Sequence, residues 1–402
     1  MSTTVAIICE YNPFHYGHLY QIEQIRKDFG EDTRIIAIMS GNFTQRGEIA
    51  IADKGDRAKC ATLSGVDLVL ELPFPFSISS AELFASAGVK IADALGIVDY
   101  LSFGSESGDI DELSKVAEAQ LSKAYEETLR KLIDANVGIG YPALCEAAME
   151  SIGLDTTGIS MTPNNILALE YIKALTRERS SIKPHTVKRC GASFDEEIIL
   201  NDGFESATAI RKAVVDGNFS ALDYIPKSSK DVLLYAKSIG AFPCIEEKLD
   251  SAVISSFRLS STAEGTDIAD AAGGLYNRLK ALSLEANNIQ TLIRLAETKK
   301  FTRARIRRAV WYSFLGVTSS EIKASPLYTQ LLAANKQGRT MLKEIGKRGR
   351  IPVLTKPSDT DALTPEALAE KERSDRADSV FQLTKPTPAD GCFAVRFTPY
   401  VK

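Results

Sequence analysis

The stretch "TVAIICEYNPFHYGHLYQI", residues 4–22, decides the fold. It opens with a short apolar run rich in β-branched residues, which is typical of a buried strand, and continues into apolar residues at helical spacing. The turn between the two patterns contains His15, Gly17 and His18, and so two of the three histidines in the chain. A strand that turns directly into a helix is the first half of a βαβ unit.

The alternation of strand and helix patterns continues through the first half of the chain. Strands are predicted at 4–9, 34–39, 67–72, 98–103 and 184–189, and helices at 17–29, 53–64, 80–95, 110–133, 164–177 and 206–216. This order predicts an α/β fold with an N-terminal Rossmann-like domain, in which helices cover both faces of a parallel sheet.

Helical periodicity dominates after about residue 228. Apolar residues recur every three to four positions in four stretches, at 231–240, 268–286, 289–317 and 325–346. This pattern predicts an α-helical domain. Beyond residue 350 the chain is mixed, with strands predicted at "RIPVLTKP" and "CFAVRFTPYVK" and an acidic helix between them at 364–378. The predicted division is therefore 1–227, 228–350 and 351–402.

The composition is that of a globular protein. A length of 402 residues, 44% of them hydrophobic and 25% charged, suits two or three domains. We expect no membrane association, because no apolar run is long enough to cross a bilayer and the first residues lack a signal-peptide pattern. The six cysteines are scattered without a CxxC pair. This spacing argues against a metal site or a disulfide framework and predicts a cytoplasmic location.

Positive charge is concentrated in one segment of an acidic chain. Residues 294–350 contain 14 Lys and Arg against 3 Asp and Glu, whereas the whole chain has a net charge of −4. Such a segment usually has a polyanionic partner, although many charge runs are merely solvated faces. The predicted RNA-binding residues are Lys299, Lys300, Arg303, Arg305, Arg307, Arg308, Lys347, Arg348 and Arg350. Phe301 and Trp311 either stack on bases or pack in the core.

The histidine-containing turn lies where open parallel sheets bind ligands, at the carboxyl end of the first strand. The helix that follows presents free N–H groups and the positive end of its dipole to an anion. Gly17 allows a close backbone approach, and His15 and His18 lie on one side of the first turn. Imidazole N–H groups there can stabilise charge on a phosphate during nucleotidyl transfer. The alternative is two polar loop residues satisfied by the backbone.

Longer stretches carry a family resemblance. They are "ICEYNPFHYGHLYQI", "IMSGNFTQRGEIAIADKGDRA", "DLVLELPFPFSISSAELFASAGVKIADALGIVDYLSFGSESGD", "PNNILALEYIKAL", "ESATAIRKAV" and "KKFTRARIRRAVWYSFLGV". "HYGH" resembles the HxGH motif of the nucleotidyltransferase superfamily. Across nearly the whole chain to about residue 350, the sequence is similar to the bacterial tRNA(Met) cytidine acetate ligases.

The resemblance implies a set of catalytic and ATP-binding residues. His15 and His18 would be catalytic, and in "PNNILALEY" the nucleotide contact would be Asn164, with Asn165 as the alternative. Taken alone, Gly104 could equally belong to an ordinary strand-ending turn, and either asparagine could simply be a helix N-cap. The expected ATP-binding residues are Ile7, Ile8, Cys9, Glu10, Tyr11, Asn12, Pro13, Phe14, His15, Tyr16, Gly17, His18, Leu19, Tyr20, Gly104, Asn164, Arg189, Cys190, Ser206 and Arg211.

A second group of charged and polar residues follows the second strand. Gln45, Arg46, Lys54 and Arg57 could hold substrate or RNA, or could simply pair with nearby aspartates. The sequence alone leaves these alternatives open.

The resemblance also implies a two-step activity. Acetate and the substrate ATP would form acetyl-adenylate, and the acetyl group would pass to N4 of the wobble cytidine of elongator tRNA(Met). We expect no protein metal site and any Mg²⁺ to arrive with ATP, because no set of paired carboxylates marks one. The alternative enzyme is a small-molecule adenylyltransferase that makes a nucleotide cofactor. The basic segment favours the RNA enzyme, and a non-enzymatic RNA-binding protein would leave the histidine motif unexplained.

Overall fold

The computed structural model describes residues 2–135, 140–154, 161–189, 206–260, 267–387 and 398–402. Its strands are β1 (Thr4–Cys9), β2 (Arg34–Ser40), β3 (Phe43–Thr44), β4 (Glu48–Ile49), β5 (Leu68–Leu72), β6 (Tyr100–Ser105), β7 (Lys183–Lys188), β8 (Thr329–Ala334), β9 (Val353–Leu354) and β10 (Tyr400–Val401). The first eight helices are α1 (Tyr16–Phe29), α2 (Lys54–Leu63), α3 (Ala81–Ala94), α4 (Ile110–Gln120), α5 (Lys123–Ala135), α6 (Tyr141–Ser151), α7 (Pro163–Arg177) and α8 (Ala207–Val215). The others are α9 (Lys227–Ser238), α10 (Asp250–Leu259), α11 (Leu275–Ser283), α12 (Ile289–Ala296), α13 (Arg303–Leu315), α14 (Ser319–Lys323), α15 (Lys336–Arg348) and α16 (Pro365–Gln382).

The central sheet confirms the predicted α/β fold. Its parallel strands lie in the order β5-β2-β1-β6-β7. The chain proceeds from β1 through β2 to β5 in one direction and then adds β6 and β7 on the other side of β1. The strand order therefore reverses between β1 and β6, which is the topological switch point of the sheet. This is the order of a doubly wound sheet, whose ligand crevice opens at the carboxyl ends of the strands beside the reversal. The predicted strands of the first half are present to within a few residues.

Helices cover both faces of the sheet because successive strand residues alternate between them. Val5 and Ile7 pack with buried residues of α1 and α2. Ala6 and Ile8 point the other way and pack with α3 and α7. The strands β1, β2 and β5 are therefore mostly apolar, with Arg34 and Glu71 as charged exceptions, as expected for strands that are buried on both sides.

The helical part has a core of its own. Helices α10 to α13 bury Phe257, Leu292, Ile306 and Trp311 against one another. This cluster continues into Phe43 of the β3–β4 hairpin, and so reaches the loops at the carboxyl edge of the sheet. The helical residues that follow the first domain thus pack directly beside the predicted ligand crevice.

The prediction of a helix over 325–346 is wrong for 329–334. These residues form β8, which pairs antiparallel with β5 in the main sheet, and α15 then packs against β2 and β5. The run TQLLAA is almost wholly buried, and a short apolar run that is buried on both sides cannot be told from a helix by periodicity. The predicted helix at 110–133 is likewise divided into α4 and α5.

The predicted C-terminal segment is only partly described. The acidic helix is present as α16, and "RIPVLTKP" contains β9, which pairs with β8. Most of "CFAVRFTPYVK" lies outside the described residues, apart from its last five, which include β10. The division into 1–227, 228–350 and 351–402 stays a prediction, although β8 and α15 belong by their packing to the central sheet.

Buried ionic contacts attach α16 to the sheet. Lys54 Nζ lies 2.7 Å from Glu71 Oε1 and 2.5 Å from Asp378 Oδ2. Asn42 Nδ2 donates a hydrogen bond of 2.8 Å to the other carboxylate oxygen of Asp378. The Lys54 ammonium is therefore neutralised inside the protein. Among the described residues, no helix is both long and apolar enough to cross a bilayer.

Candidate active site

A cavity of about 860 Å³ opens at the carboxyl ends of the parallel strands. Its floor includes Cys9 at the end of β1 and Gly104 near the end of β6. These strands are neighbours at the reversal of strand order, so the cavity lies where the sequence predicted a ligand site.

His15 and His18 form reciprocal caps at the start of α1. His15 is the N-cap residue, and its Nδ1 accepts a hydrogen bond of 3.0 Å from the backbone N–H of Gly17. His18 Nδ1 accepts one of 3.2 Å from the backbone N–H of His15. The two ring centroids lie 3.9 Å apart. A Cβ at position 17 would lie 2.8 Å from Cε1 of His15, so glycine leaves room for this ring.

This capping geometry determines which nitrogen of each histidine bears a proton. Both Nδ1 atoms accept hydrogen bonds, so the proton of each neutral imidazole is on Nε2. Burial lowers the pKa of His15 to about 3, with smaller contributions from Arg189 and Arg211. Burial and the neighbouring His15 lower the pKa of His18 well below its usual range. Both half-buried rings line the cavity as neutral donors.

The loop after β6 supports the start of α7 from outside that helix. Glu106 accepts hydrogen bonds from Asn164 Nδ2 at 2.6 Å, from the backbone N–H of Asn165 at 2.9 Å and from Thr162 Oγ1 at 2.7 Å. Thr162 is the N-cap residue, so neither asparagine has the capping role considered from the sequence. Asn164 lines the cavity, whereas Asn165 is buried and accepts a hydrogen bond from the backbone N–H of Glu106.

Arg189 and Gly104 lie beside each other at the end of the sheet. Arg189 follows β7, and its backbone N–H donates a hydrogen bond of 3.0 Å to the carbonyl of Ser105. A Cβ at position 104 would lie 3.3 Å from Cγ of Arg189. The absence of a side chain at Gly104 therefore keeps space for the arginine stem along the cavity wall.

Arg211, in the second turn of α8, closes another side of the cavity. Its guanidinium donates hydrogen bonds of 2.9 Å to the carbonyl of Asn12 and 2.8 Å to Glu48 Oε2. Burial alone would raise the pKa of Glu48, but Arg211 and other nearby guanidinium groups lower it. Ser206 caps the same helix by accepting a hydrogen bond of 3.1 Å from the N–H of Ala209.

The β3–β4 hairpin links the cavity to the helical part. Gln45, Arg46 and Glu48 line the cavity. Arg307 Nε and Trp311 Nε1 both donate hydrogen bonds to the carbonyl oxygen of residue 47, at 3.2 and 3.0 Å. A Cβ at position 47 would lie within 2.7 Å of Arg307, so this turn requires glycine.

The polar residues after the second strand have divided roles. Gln45 and Arg46 line the cavity, as one alternative proposed. Arg57 is buried and donates hydrogen bonds to the carbonyls of Glu10 and Ser40, so it holds the ends of β1 and β2 rather than a ligand. Asp53, a nearby aspartate, forms its ion pair of 3.0 Å with Lys385 and not with Arg46, Lys54 or Arg57.

The structure contradicts a solvent-facing position for Arg307 and Arg308. Both are buried: Arg307 Nη2 lies 2.8 Å from Glu246 Oε1, and Arg308 Nε lies 2.5 Å from Asp270 Oδ2. They lie on a helix that packs most of its surface in the helical core, where carboxylates neutralise them. Arg305 is half-buried and donates to backbone carbonyls of 270 and 272. Phe301 and Trp311 are both buried, so neither of these two rings is exposed for stacking on a base.

The other six predicted RNA-binding residues are exposed in two places. Lys299, Lys300 and Arg303 lie near the start of α13, and Arg303 lines the cavity. Lys347, Arg348 and Arg350 are exposed beyond the far end of α3, where the backbone N–H of Arg350 donates to the carbonyl of Ala94. The first residue of α3 lines the cavity and the helix has 14 residues, so its far end, where the second group lies, is about 20 Å from the cavity.

The predicted ATP-binding residues mostly meet in this cavity. Those that line it are Ile7, Ile8, Cys9, Glu10, Tyr11, Asn12, His15, Gly17, His18, Tyr20, Gly104, Asn164, Arg189, Ser206 and Arg211. Pro13, Phe14, Tyr16 and Leu19 belong to the same turn and helix without lining the cavity, and Cys190 lies outside the described residues.

Sequence reasoning missed further lining residues, among them Gln21, Glu48, Phe84, Phe103, Leu167 and Tyr171. Phe84 and Tyr171 lie on predicted helices, but their apolar spacing is that of any core position. Within the part of the chain that the structure describes, no three His, Cys, Asp or Glu side chains group as a metal site would require.

Comparison with known proteins identifies the family. A family model described as HIGH Nucleotidyl Transferase matches residues 1–391. The tRNA(Met) cytidine acetate ligase of Acetivibrio thermocellus is 37% identical over 370 residues, which cover 88% of each chain. That of Thermoanaerobacter sp. strain X514 is 37% identical over 376 residues, which cover 92% of each.

Solved structures agree with the sequence comparison. The crystal structure of Thermotoga maritima TmcAL bound with alpha-thio ATP matches with a TM-score of 0.91 and 28% identity, over 99% of both chains. The apo form of that protein matches with a TM-score of 0.93. From the switch-point cavity, the paired histidines and these similarities together, the chain belongs to the tRNA(Met) cytidine acetate ligase family of HIGH nucleotidyltransferases.

Proposed function

We propose that the protein activates acetate with ATP to acetyl-adenylate and then acetylates N4 of the wobble cytidine of elongator tRNA(Met). One observation carries the proposal: two neutral histidines at the start of α1 line the switch-point cavity with their Nδ1 atoms bound to the backbone. The shared name of the relatives favours this activity over synthesis of a nucleotide cofactor.

In the first step an acetate oxygen attacks the α-phosphorus of ATP. A bond forms between that oxygen and phosphorus, and the bond to pyrophosphate breaks and gives its electron pair to the leaving group. The Nε2–H groups of His15 and His18 donate hydrogen bonds to the phosphate oxygens, whose charge grows in the transition state. No proton has to move, because acetate is already ionised near neutral pH.

The other cavity residues bind the nucleotide. Asn164 and Arg189, beside Gly104, contact the nucleoside, while Arg211 and the capped start of α8 bind the leaving phosphates. Arg211 must then share its guanidinium between Glu48 and pyrophosphate, for which its several N–H groups suffice. We expect Mg²⁺ to arrive on the triphosphate, and no step depends on a protein-bound metal.

In the second step the cytidine amine attacks the acetyl carbonyl: a C–N bond forms, the bond from the acyl carbon to the AMP oxygen breaks, AMP leaves with its electron pair, and one proton of the amine passes to water. A single-stranded anticodon loop can present an unstacked cytidine to the cavity. Arg303 is exposed and lines the cavity, and the exposed Lys299 and Lys300 shortly precede it in the chain; these three cations bind the RNA beside the site. The reaction takes place in the cytoplasm, in agreement with the scattered cysteines.

The test is acetate-dependent exchange of labelled pyrophosphate into ATP, followed by transfer of labelled acetate to tRNA. We expect exchange with ATP and acetate alone, and label in tRNA only when all three substrates are present. A cofactor-forming adenylyltransferase would instead place the AMP of ATP in its product, and it would leave tRNA unlabelled. That result would contradict the proposal.

A further inference from the structure

The cavity has two chemically different sides. One side presents His15, His18 and Arg211. The other is apolar: Ile8, Phe84, Phe103, Leu167 and Tyr171 line it and belong to, or pack against, the hydrophobic cluster on the α3 and α7 face of the sheet. The phosphates of ATP belong on the first side, so the second is left for an apolar group of a ligand.

Tyr171 places one polar atom on this apolar side. Its side chain is 2% exposed, and its ring packs against Phe103 with centroids 5.5 Å apart. The buried hydroxyl has no hydrogen-bond partner among the described residues. A buried hydroxyl without a partner is unfavourable, so a ligand that supplies an acceptor recovers that free energy. Burial raises the pKa of Tyr171 well above its usual range, with contributions from Cys9 and Glu10 at the end of β1, so the hydroxyl is a donor.

The geometry of displacement at phosphorus indicates which ligand lies there. The attacking and leaving oxygens are roughly in line on opposite sides of the phosphorus atom. Arg211, our ligand for the leaving pyrophosphate, is on α8, which packs with α9, and α9 packs on α2. That is the α1 and α2 face of the sheet. The attacking acid therefore approaches from the opposite face, where Tyr171 lies.

We propose that Ile8, Phe84, Leu167 and Tyr171 form the subsite for the carboxylic acid. The Tyr171 hydroxyl donates a hydrogen bond to one carboxylate oxygen while the other attacks phosphorus, and the apolar side chains cover the methyl group. Tyr171 keeps its proton throughout. The rigid ring of Phe84 limits the length of the acid. This subsite rests on the proposed function and adds to it the residues that select a short acid.

The kinetic test uses acetate-dependent pyrophosphate exchange. Tyr171→Phe keeps the ring and removes the hydroxyl, so we expect the KM for acetate to rise about tenfold, which corresponds to about 1.4 kcal/mol. The KM for ATP should stay within about twofold of the wild-type value. Tyr328→Phe is the matched control, because Tyr328 is also a fully buried tyrosine but lies just before β8, away from the cavity. It should leave both constants unchanged. Phe84→Leu should raise the rate with propionate relative to acetate about tenfold.

A binding measurement separates the subsite from the activity. Calorimetry compares a stable sulfamoyl analogue of acetyl-adenylate with the same nucleoside lacking the acetyl group. We expect the acetyl group to tighten binding to the wild type, and Tyr171→Phe to remove most of that increment. If Tyr171→Phe weakened ATP binding and left the KM for acetate unchanged, this side of the cavity would hold the adenine ring, and the proposal would be overturned. It would also be overturned if Tyr171→Phe changed neither ATP binding nor the KM for acetate. If Tyr171→Phe lost this increment but the wild type showed no exchange with acetate, the subsite would stand and only the proposed function would be refuted.

Discussion

The basic helix α13 offers a prediction in which burial, rather than charge, decides the outcome. Arg307→Ala removes one partner of a pair in which both side chains are 11% exposed, with Arg307 Nη2 and Glu246 Oε1 2.8 Å apart. It also removes the hydrogen bond to the carbonyl of residue 47 in the β3–β4 hairpin. Leaving the Glu246 carboxylate buried without its cation costs about 3–5 kcal/mol of the free energy of unfolding. Because the hairpin lines the cavity, acetyl-adenylate formation should fall with it.

The matched perturbation is a triple variant of the exposed cations, in which Lys299, Lys300 and Arg303 are all replaced by Ala. Surface substitutions change stability by about 0.5 kcal/mol or less each. For each RNA phosphate that no longer meets a cation, the slope of log affinity against log salt should become shallower by about 0.7–0.9. We therefore expect weaker tRNA binding, with a shallower salt dependence and nearly normal adenylate formation.

The assays are urea unfolding, acetate-dependent exchange without tRNA, and tRNA binding measured between about 50 and 200 mM salt, a range over which such affinities change steeply. Only Arg307→Ala should lower stability and exchange, and only the triple variant should flatten the salt slope. If Arg307→Ala folded normally and changed only the salt slope of tRNA binding, Arg307 would act as an RNA-binding cation despite its burial, and the reasoning would be refuted. If the triple variant bound tRNA with an unchanged slope, the RNA surface would lie elsewhere.

Replacing His15 or His18 by Ala should slow acetate-dependent exchange by a factor of about 10² to 10³, with tRNA affinity unchanged in a binding assay, because each supplies one donor to the phosphates. Burial lowers the pKa of His15 from 6.5 to about 3, so the unfolded chain binds more protons between these values. The free energy of unfolding should therefore fall as pH drops from about 6.5 towards 3, and urea titrations of a His15→Asn variant should show a weaker fall. Asp378→Ala should cost about 3 kcal/mol in urea unfolding, because it removes a carboxylate from the buried Lys54, whereas Ser379→Ala on the exposed side of the same helix should change stability by less than about 0.5 kcal/mol.

Local patterns predicted the parts of the molecule that local interactions build. The strand of 4–9, the turn at Gly17 and the helix after it form a contiguous unit, and the alternation that follows implied the doubly wound sheet. The position of a ligand site at the end of β1 then followed from topology. His15 and His18 required no long-range information either, because each caps the helix on which it lies.

The remaining features depend on contacts between distant residues. β8 pairs with β5, about 260 positions earlier in the chain, and its apolar run reads equally well as a helix. Arg307 appears in the sequence as one cation among many, and its neutralisation by Glu246 depends on how the helices pack. The same holds for Arg211 with Glu48 and for Glu106 with the start of α7. Charge patterns report composition along the chain, not which cations the fold buries.

The most direct test of the proposed function is the fate of labelled acetate on two transcripts of elongator tRNA(Met) that differ only at the wobble position. With ATP, the transcript with cytidine should take up label that is recovered, after nuclease digestion, as N4-acetylcytidine. The transcript with uridine, which has no N4 amine, should bind with similar affinity and remain unlabelled, while acetate-dependent pyrophosphate exchange proceeds equally with both. Equal labelling of the uridine transcript would contradict the account, because the acceptor would then not be the cytidine amine.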